Sequence, residues 1–406
     1  MSLDKKGSTL ALLALAVSAF AIGTTEFISV GLLPLISNDL QIPVTTAGLT
    51  VSLYALGVTF GAPILTSLTS SMSRKSLLLW IMIVFLVGNS VAAIAANVGI
   101  LLVARVLSAF SHGVFMSIGS TLAANLVPEN RRASAISIMF TGLTVATITG
   151  VPIGTFIGQQ LGWRAAFIAI VVVGVIALIA NSILVPTDLP KGKKTTFRNQ
   201  FQLLRNGRLV LLFIITALGY GGTFVVFTYL TPLLQNVTGF KEGVVAVILL
   251  VYGIAIAIGN VIGGRLANRN PISALFYMFM IQATILLTLT FTAPYKVAGL
   301  ITIILMGLFA FMNVPGLQVY VVTLAERFVP SAVDVASAIN IAAFNAGIAV
   351  GSYLGGLITD SIGLIHTAWI GSVMVIGAMI LTGWSKALEK KDRKNNNRIN
   401  QFKIEA

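Results

Sequence analysis

The chain has 406 residues, of which 57% are hydrophobic and only 9% are charged. A soluble domain carries about 25% charged residues, so this composition excludes an ordinary soluble protein. A net charge of +14 would suggest a nucleic-acid partner in a soluble protein, but here the basic residues lie in short loops, where they report membrane topology.

The hydrophobic pattern predicts twelve helices, each about as long as a bilayer crossing requires. The breaks between them fall at charged, proline, glycine or asparagine-rich points. In chain order, as helix 1 to helix 12, their approximate spans are 9–34, 46–70, 77–96, 100–125, 133–158, 164–186, 209–234, 243–267, 271–293, 297–323, 333–359 and 364–385. We therefore predict an all-α polytopic membrane protein, since a spanning barrel shows weaker segments of about ten alternating residues.

Helix 1 contains Glu26, the only ionisable residue between Thr9 and Ile36. A carboxylate inside a membrane helix costs at least ~2.5 kcal/mol on insertion scales, so it is expected to face a polar cavity rather than lipid. Such an acid is either a structural group, held by hydrogen bonds or a cation, or a proton- or cation-coupling site. Intramembrane acids are so often functional that we favour the second interpretation.

Helix 4 carries Arg105 about one turn from its predicted outer end, and His112 two turns further along the same face. Glu26 has a similar predicted depth in helix 1, which makes a Glu26–Arg105 pair sterically reasonable. His112 is either a hydrogen-bonded core residue or a proton-transfer or substrate group. With two histidines and no cysteine in the chain, no metal or other cofactor is expected.

Helix 5 contains Gly150, Pro152 and Gly154, with Gly142 and Gly158 near the same face. Small residues at this spacing let another helix approach closely, and the proline frees a carbonyl and can kink the helix. Ordinary close packing and a movable interface that gates a cavity explain this pattern equally well.

An internal repeat divides the chain. The Ala-Ser-Ala-Ile run at 133–136 recurs at 336–339, and each copy follows a Val-Pro pair and precedes a glycine-rich face. We predict two pseudo-symmetric six-helix bundles with the pathway between them. The predicted units are an N-terminal bundle at 1–186, a cytoplasmic basic linker at 187–208, a C-terminal bundle at 209–385 and a cytoplasmic basic tail at 386–406.

The basic residues also predict the orientation. Of the 26 lysines and arginines, all but Arg105, Arg164, Lys241 and Lys296 fall on one side of the predicted membrane. Such a bias in short loops marks the cytoplasmic side. We therefore expect both termini inside, in a multi-pass protein of the plasma (inner) membrane of a bacterium.

The second half offers neutral polar and aromatic groups within the membrane. Amides there usually bridge helices by hydrogen bonds, but an aromatic lining with a few polar groups also suits a small-molecule site. The candidate substrate-binding residues are Tyr220, Phe224, Phe227, Asn313, Gln318, Asn340 and Asn345.

Three sets of motifs resemble those of one family, the sugar-efflux-like (arabinose efflux) branch of the twelve-helix drug:proton antiporters in the major facilitator superfamily. The motifs are Gly23–Phe27 with Val30–Pro34 in helix 1, Leu101–Arg105 with Ala109–Ser117 in helix 4, and Gly150–Gly154 with Gly162–Arg164 at helix 5. The resemblance covers essentially the whole chain. The loop after helix 2 departs from the family pattern, since it lacks the acidic residue and keeps only the final basic pair, Arg74 and Lys75.

This resemblance implies secondary active efflux of a small organic substrate, a drug or a sugar-like molecule, in exchange for protons by alternating access. In this interpretation Glu26, Arg105 and His112 serve proton coupling. Gating falls to Arg74, Lys75, Gly150, Pro152 and Gly154. The expected partners are the small-molecule substrate, protons and the lipid bilayer, with no nucleic acid, and the protein is expected to be a monomer.

Three alternatives remain open. A proton-coupled importer of a small metabolite shares the fold, and the sequence does not set the direction of transport. A membrane-embedded enzyme is disfavoured because the membrane segments show no clustered acids or histidines and no Ser-His-Asp arrangement. A receptor or scaffold would need a sizeable soluble domain or long loops. Sugars, amphipathic drugs, nucleosides and amino acids all remain candidate substrates.

Overall fold

The computed structural model describes residues 5–69, 72–128, 132–187, 189, 197–267, 270–330 and 333–405. Throughout these residues every regular element is helical, and twelve helices are long and apolar enough to cross a membrane. Each of the twelve predicted spans is confirmed by one of them. Residues 188 and 190–196 of the predicted linker lie outside the described part of the chain.

The first six spans form continuous helices except in helix 5. Helix 5 runs from Arg132–Val145 through a π-helical segment, Ala146–Gly150, into Val151–Leu161. The remaining bounds are Lys5–Leu40 for helix 1, Val44–Leu68 for helix 2, Arg74–Ala93 for helix 3, Val98–Asn125 for helix 4 and Trp163–Leu184 for helix 6.

Two of the last six spans are interrupted. Helix 7 consists of Gly207–Phe227 and Leu230–Asn236, and helix 10 of Lys296–Ala310 and Val314–Phe328. The others are Glu242–Ala267 for helix 8, Pro271–Thr292 for helix 9, Val333–Ser361 for helix 11 and His366–Glu405 for helix 12. A short linker helix, Phe197–Arg205, precedes helix 7 and buries Leu203.

The predicted end of helix 1 is wrong by six residues. The prediction placed the end at Pro34, but the helix continues to Leu40 with Pro34 inside it. A membrane helix tolerates an internal proline because neighbouring groups compensate for the lost hydrogen bond. We call the end of the bundle at the helix 1–helix 2 turn the distal end, and the opposite end the terminal end.

Two large hydrophobic clusters organise the packing. One consists of residues from helices 1 to 6 together with Tyr229, and the other draws mainly on helices 7 to 12. Within the first group, the glycine face of helix 5 lies on helix 1. Within the second group, the glycine face of helix 11 lies in the same way on helix 7.

The two groups meet along three pairs of helices: 2 with 11, 5 with 8, and 1 with 7. Gly253 of helix 8 crosses the π-helical segment, where an added Cβ would lie 2.9 Å from Ile148 Cα. Thr59 of helix 2 donates a hydrogen bond to the Ala342 carbonyl of helix 11 (3.4 Å). Helix 5 is thus in contact with helix 8, and helix 11 with helix 2.

At the distal end, Tyr229 lies in a slot formed by two glycines. It belongs to the interruption of helix 7 and is almost fully buried. A Cβ at Gly48 of helix 2 would lie 2.1 Å from the Tyr229 hydroxyl oxygen, and one at Gly356 of helix 11 would lie 2.7 Å from it. The ring therefore occupies space that exists only because both residues are glycine.

Candidate functional site

Glu26 lies on helix 1 where the two groups of helices meet, and its side chain is partly buried. Within the described residues, no side chain lies at ion-pair or hydrogen-bond distance from its carboxylate. Arg105 and Tyr54 of the first group and Tyr220 of the second lie near the carboxylate without contacting it. It is thus an ionisable group between the two groups of helices that no cation among the described residues contacts.

Arg105 is fully buried and binds main-chain oxygens on two other helices. Its Nη1 donates to the Thr25 carbonyl (2.7 Å), its Nη2 to the Glu26 carbonyl (3.2 Å) and its Nε to the Thr50 carbonyl (3.1 Å). The guanidinium carbon also lies 4.2 Å from the centre of the Tyr54 ring, a cation–π contact. One side chain of helix 4 therefore holds helices 1 and 2 together.

The expected Glu26–Arg105 contact exists, but not as an ion pair. The guanidinium meets the main-chain carbonyl of Glu26, and the ion pairs found among the described residues do not include one between the Glu26 carboxylate and Arg105. The sequence predicted a similar membrane depth for Glu26 and Arg105, and this contact agrees with it even though helix 1 is longer than predicted. Because carbonyls already satisfy the arginine, its hydrogen bonds do not depend on the ionisation of Glu26.

His112 is buried beside this group and shares a hydrogen bond between its Nδ1 and the Tyr54 hydroxyl (3.1 Å). Tyr54 therefore links the imidazole to the face of the arginine. On the other side, the Thr25 hydroxyl donates to Asn89 Oδ1 of helix 3 (3.1 Å). The sequence did not predict a role for Tyr54 or Asn89. The only signal was a polar group on a side chain within an otherwise apolar helix.

The three candidate aromatic residues of helix 7 belong to one cluster at the centre of the protein. Phe224 lies 5.1 Å from Tyr220 and 5.2 Å from Phe227 between ring centres. Phe27, the neighbour of Glu26, enters this cluster from the first group, 6.1 Å from Phe224 and 6.2 Å from Phe227. The remaining members are Tyr252, Phe311 and Phe344.

Phe311 owes its position to the interruption of helix 10, which also carries Asn313. Asn313 is fully buried, and its Nδ2 donates to Gln282 Oε1 (3.1 Å), while Gln282 Nε2 donates to the Thr223 hydroxyl. The Oδ1 of Asn313 has no hydrogen-bond partner among the described residues. These contacts connect helices 7, 9 and 10 one residue from Phe224.

The other candidate amide side chains, Asn340, Asn345 and Gln318, are not part of the Asn313–Gln282–Thr223 hydrogen-bond chain. Asn340 accepts a hydrogen bond from Thr216 (2.8 Å), which joins helix 11 to helix 7. Asn345 donates to the Ile341 carbonyl of its own helix (3.0 Å). Gln318 is partly buried, and its Oε1 has no partner in the described part of the chain.

The candidate gating residues fall in two places. Gly150 and Gly154 face Thr24 and Ile28 of helix 1, so they serve close packing inside the first group rather than its boundary with the second. Pro152 follows the π-helical segment, which is itself the part of helix 5 that meets helix 8. Arg74 and Lys75 begin helix 3 behind Ser73, which caps it, and both are partly buried.

Two cavities lie where the two groups of helices meet. A cavity of about 10 Å³ lies against the aromatic cluster. A larger cavity of about 400 Å³ opens at the distal end, between the ends of helices 1, 2 and 7. Nowhere in the described residues do three histidine or acidic side chains lie close enough to share a metal ion.

A family profile and the related sequences agree with one another on the family of this chain. A sequence profile of the Major Facilitator Superfamily matches residues 15–332. The chain is 78% identical over 393 residues to the uncharacterized MFS-type transporter YtbD of Bacillus subtilis, covering 97% of this chain and 99% of that protein. It is also 36% identical over 374 residues to the inner membrane transport protein YdhP of Escherichia coli K12, covering 91% and 94% of the two chains.

Solved structures share the fold at low sequence identity. A bacterial homolog of the human lysosomal transporter Spinster, in an inward-facing and occupied conformation, superposes with a TM-score of 0.76 at 16% identity, covering 95% of this chain and 98% of that one. The human organic anion transporter MFSD10 gives a TM-score of 0.68 at 15% identity, covering 93% and 99%.

Proposed function

The chain belongs to the Major Facilitator Superfamily and is a membrane transporter, and we propose that it exports a small organic substrate in exchange for protons. The resemblance of its motifs to those of the sugar-efflux-like branch of the drug:proton antiporters supports this proposal. Alternating access carries the substrate between the two groups of helices, and Glu26 exchanges the proton.

One observation carries this proposal: among the described residues no counter-ion contacts the Glu26 carboxylate, which lies where the two groups of helices meet. A structural acid would be held by hydrogen bonds or a cation, because an isolated buried charge is costly. The carboxylate instead adjoins the central aromatic cluster through Phe27 and Tyr220. A group in this position is able to bind a proton when the pathway faces one side and release it when the pathway faces the other.

Arg105 and His112 support the carboxylate in this mechanism. The arginine keeps a fixed positive charge near Glu26 while its donors stay on carbonyls, so it favours release of the proton without binding the carboxylate. Tyr54 contacts both the His112 imidazole and the Arg105 guanidinium, so it fixes the orientation of these two groups relative to each other. Substrate binds at the aromatic cluster, with Asn313 as its polar neighbour.

The proposal includes the arrangement of the chain in the membrane. The units are the bundles at 1–186 and 209–385, the linker at 187–208 and the tail at 386–406. Both termini lie in the cytoplasm of a bacterium, the protein sits in the plasma membrane, and it acts as a monomer. Movement occurs where helix 5 crosses helix 8 and helix 11 crosses helix 2, and Arg74 and Lys75 lie on the side that opens to the cytoplasm.

The test uses the purified protein in vesicles that contain a pH-sensitive dye. Sugars, amphipathic drugs, nucleosides and amino acids are added in turn, without any other energy source. We expect one class to drive proton movement opposite to its own, and a protonophore to abolish its uphill transport. Proton movement in the same direction as the substrate would establish the importer instead, and substrate transport that ignores the proton gradient would refute both.

A further inference from the structure

Tyr252 of helix 8 is only 2% exposed, and among the described residues its hydroxyl oxygen has no hydrogen-bond partner. We infer that this hydroxyl selects the substrate: it donates a hydrogen bond to a carbonyl oxygen or an unprotonated ring nitrogen of a flat aromatic molecule bound at the central cluster. This inference rests on the proposed function, and it names a specificity-determining residue and a substrate class for the same site.

The isolation of this hydroxyl is unfavourable for the folded protein. A buried polar group without a partner loses its hydrogen bonds to water and gains nothing in return, so most buried polar groups in proteins are paired. Two other buried tyrosines follow that rule. Tyr54 shares a hydrogen bond with His112 (3.1 Å), and Tyr320 shares one with Ser385 (3.0 Å). The Tyr252 hydroxyl is therefore available to a molecule that enters the site.

Neighbouring helices hold the Tyr252 ring in place. The ring stacks on Phe227 of helix 7, with 5.4 Å between ring centres and an interplanar angle of 14°. On helix 10, an added Cβ at Gly307 would lie 2.8 Å from Tyr252 Cδ2 and 3.0 Å from its Cε2, so the ring occupies space that the glycine leaves. Because the phenol oxygen lies on the ring axis, a fixed ring also fixes the position of the hydroxyl.

Tyr252 lines the small central cavity, whose wall comes from both groups of helices. Phe27 and Val151 belong to the first group, whereas Leu249 and Tyr252 belong to the second. When the two groups separate, this cavity opens into the pathway. Tyr252 then stays with helices 7 and 10, against which it packs, and its hydroxyl faces the incoming substrate.

A water molecule would be a poor permanent partner for this hydroxyl. The cavity of about 10 Å³ is close to the smallest that holds one water, and a buried water typically makes about three hydrogen bonds. In the lining that the structure describes, the polar side chains are Tyr252 and Thr147, and the Thr147 hydroxyl already donates to the Leu143 carbonyl (3.0 Å). A ligand that displaces so weakly held a water gains affinity.

The surrounding rings favour a flat aromatic ligand. Phe27 of helix 1 lies 6.1 Å from Phe224, 6.2 Å from Phe227 and 6.0 Å from Phe311 between ring centres. When Phe27 moves away with the first group, an aromatic ligand restores the ring contacts that the second group loses. In so apolar a lining, one acceptor on the ligand finds a partner in Tyr252, whereas a molecule with many hydroxyl groups leaves most of them unpaired.

The decisive experiment compares quinoline with naphthalene. The two molecules have the same shape, and only quinoline carries a ring nitrogen that accepts a hydrogen bond. Equilibrium dialysis against the full chain in detergent, at an alkaline pH where quinoline is uncharged, measures the binding of each, with protein-free detergent as the reference for partition. We expect quinoline to bind at least ~10-fold more tightly, which is the effect of pairing one buried hydroxyl. Equal binding, tighter binding of naphthalene, or no binding of quinoline would overturn the inference.

Tyr252→Phe separates recognition from a structural role. The variant should lose the preference for quinoline and should unfold at a higher temperature than the natural protein, because it removes an unpaired buried hydroxyl. Tyr320→Phe is the matched control: it removes a hydroxyl that does have a partner, so it should unfold at a lower temperature and keep the preference. A folded Tyr252→Phe protein that still prefers quinoline would show that another group recognises the nitrogen, and the inference would be wrong.

This outcome is independent of the proton-exchange test. Binding is measured without a gradient, so a preference for quinoline that depends on Tyr252 would stand even if no substrate moved protons. If a substrate drives proton movement but the natural protein binds quinoline and naphthalene equally, the exchange stands and the assignment of Tyr252 is wrong.

Discussion

In the part of the chain that the structure describes, no acidic side chain contacts the Arg105 guanidinium, and three main-chain carbonyls stabilise its charge. Hydrogen bonds to a charged group contribute about 1.5–3 kcal/mol each, which offsets much of the cost of an arginine at this depth. The planar guanidinium suits this arrangement because its donors point in fixed directions, to helix 1 on one side and helix 2 on the other.

Glu26 is expected to be required for coupling and not for folding. Glu26→Gln keeps the size of the side chain and removes the exchangeable charge, so proton-driven transport in vesicles should be lost while the protein still reaches the membrane. Glu242→Gln makes the same chemical change at an exposed position at the start of helix 8 and should transport normally. Gradient-driven transport by Glu26→Gln at the normal rate would exclude this role.

Arg105→Lys should destabilise the protein by about 3 kcal/mol, because an ammonium cannot bind all three carbonyls at once. The measurement is thermal unfolding in detergent. Combined with Glu26→Gln in a double-mutant cycle, its effect should be nearly additive, with a coupling energy below ~1 kcal/mol. A coupling of about 3–5 kcal/mol, typical of a broken buried ion pair, would show that the carboxylate and the guanidinium do meet.

At the scale of the helix, the glycines of helix 5 differ in what opposes them. An added Cβ at Gly142 would lie 1.9 Å from the Ala16 carbonyl oxygen, which belongs to a rigid backbone. At Gly154 it would lie 2.4 Å from Ile28 Cδ1, the end of a flexible side chain. Gly142 and Gly154 therefore differ in how well they tolerate an added methyl group, although they belong to the same glycine pattern in the sequence.

We expect Gly142→Ala to destabilise the protein by about 2 kcal/mol or more, through overpacking that cannot relax. Gly154→Ala should cost under ~1 kcal/mol, because Ile28 can rotate and alanine favours the helix. Gly154→Leu, in contrast, should block transport. Gly243→Ala is the control, since nothing lies within 4 Å of its added Cβ. Thermal unfolding ranks the variants, and an equal effect at 142 and 154 would contradict this account.

The existence of the twelve helices was predictable because each buries a long apolar run, and hydropathy reports this directly. The interruptions of helices 7 and 10 were not predicted, although a proline that cannot donate the helical hydrogen bond follows each within four residues, Pro232 after Tyr229 and Pro315 after Phe311. Pro152 suggested a kink in helix 5, but only the structure shows that the π-helical segment beside it meets Gly253 of another helix.

At the scale of the whole molecule, the two groups of helices are joined by aromatic side chains of one group that pack in the hydrophobic cluster of the other. Phe27 of the first group lies in the second group's cluster, and Tyr229 of helix 7 belongs to the first group's core. The sequence predicted Glu26, Arg105 and the helix 7 aromatics individually. Their partners come from distant helices, and no pattern along one helix predicts which of them face each other.

Gly48→Ala should loosen the join at the distal end, because the added methyl group has no room beside the Tyr229 ring, which Gly356 borders on the other side. The chain has no cysteine, so a single cysteine placed at Gln235, in the lining of the distal cavity, reports access without background. Its labelling by a water-soluble maleimide should become severalfold faster in the variant.

Tyr229→Phe in the Gly48→Ala background should partly restore slow labelling, since it removes the oxygen closest to the added methyl group. Labelling that Gly48→Ala leaves unchanged would mean that the tyrosine does not close this end.

The three acceptors of Arg105 also bear on how the protein is made. Thr25, Glu26 and Thr50 all precede helix 4 in the chain, and a nascent protein emerges from its N-terminus. When helix 4 enters the bilayer with its positive charge, the carbonyls that will receive that charge are already there. A chain permuted to begin at helix 3 would deliver the arginine before its acceptors, and its biogenesis should fail at that step even though the finished contacts are the same.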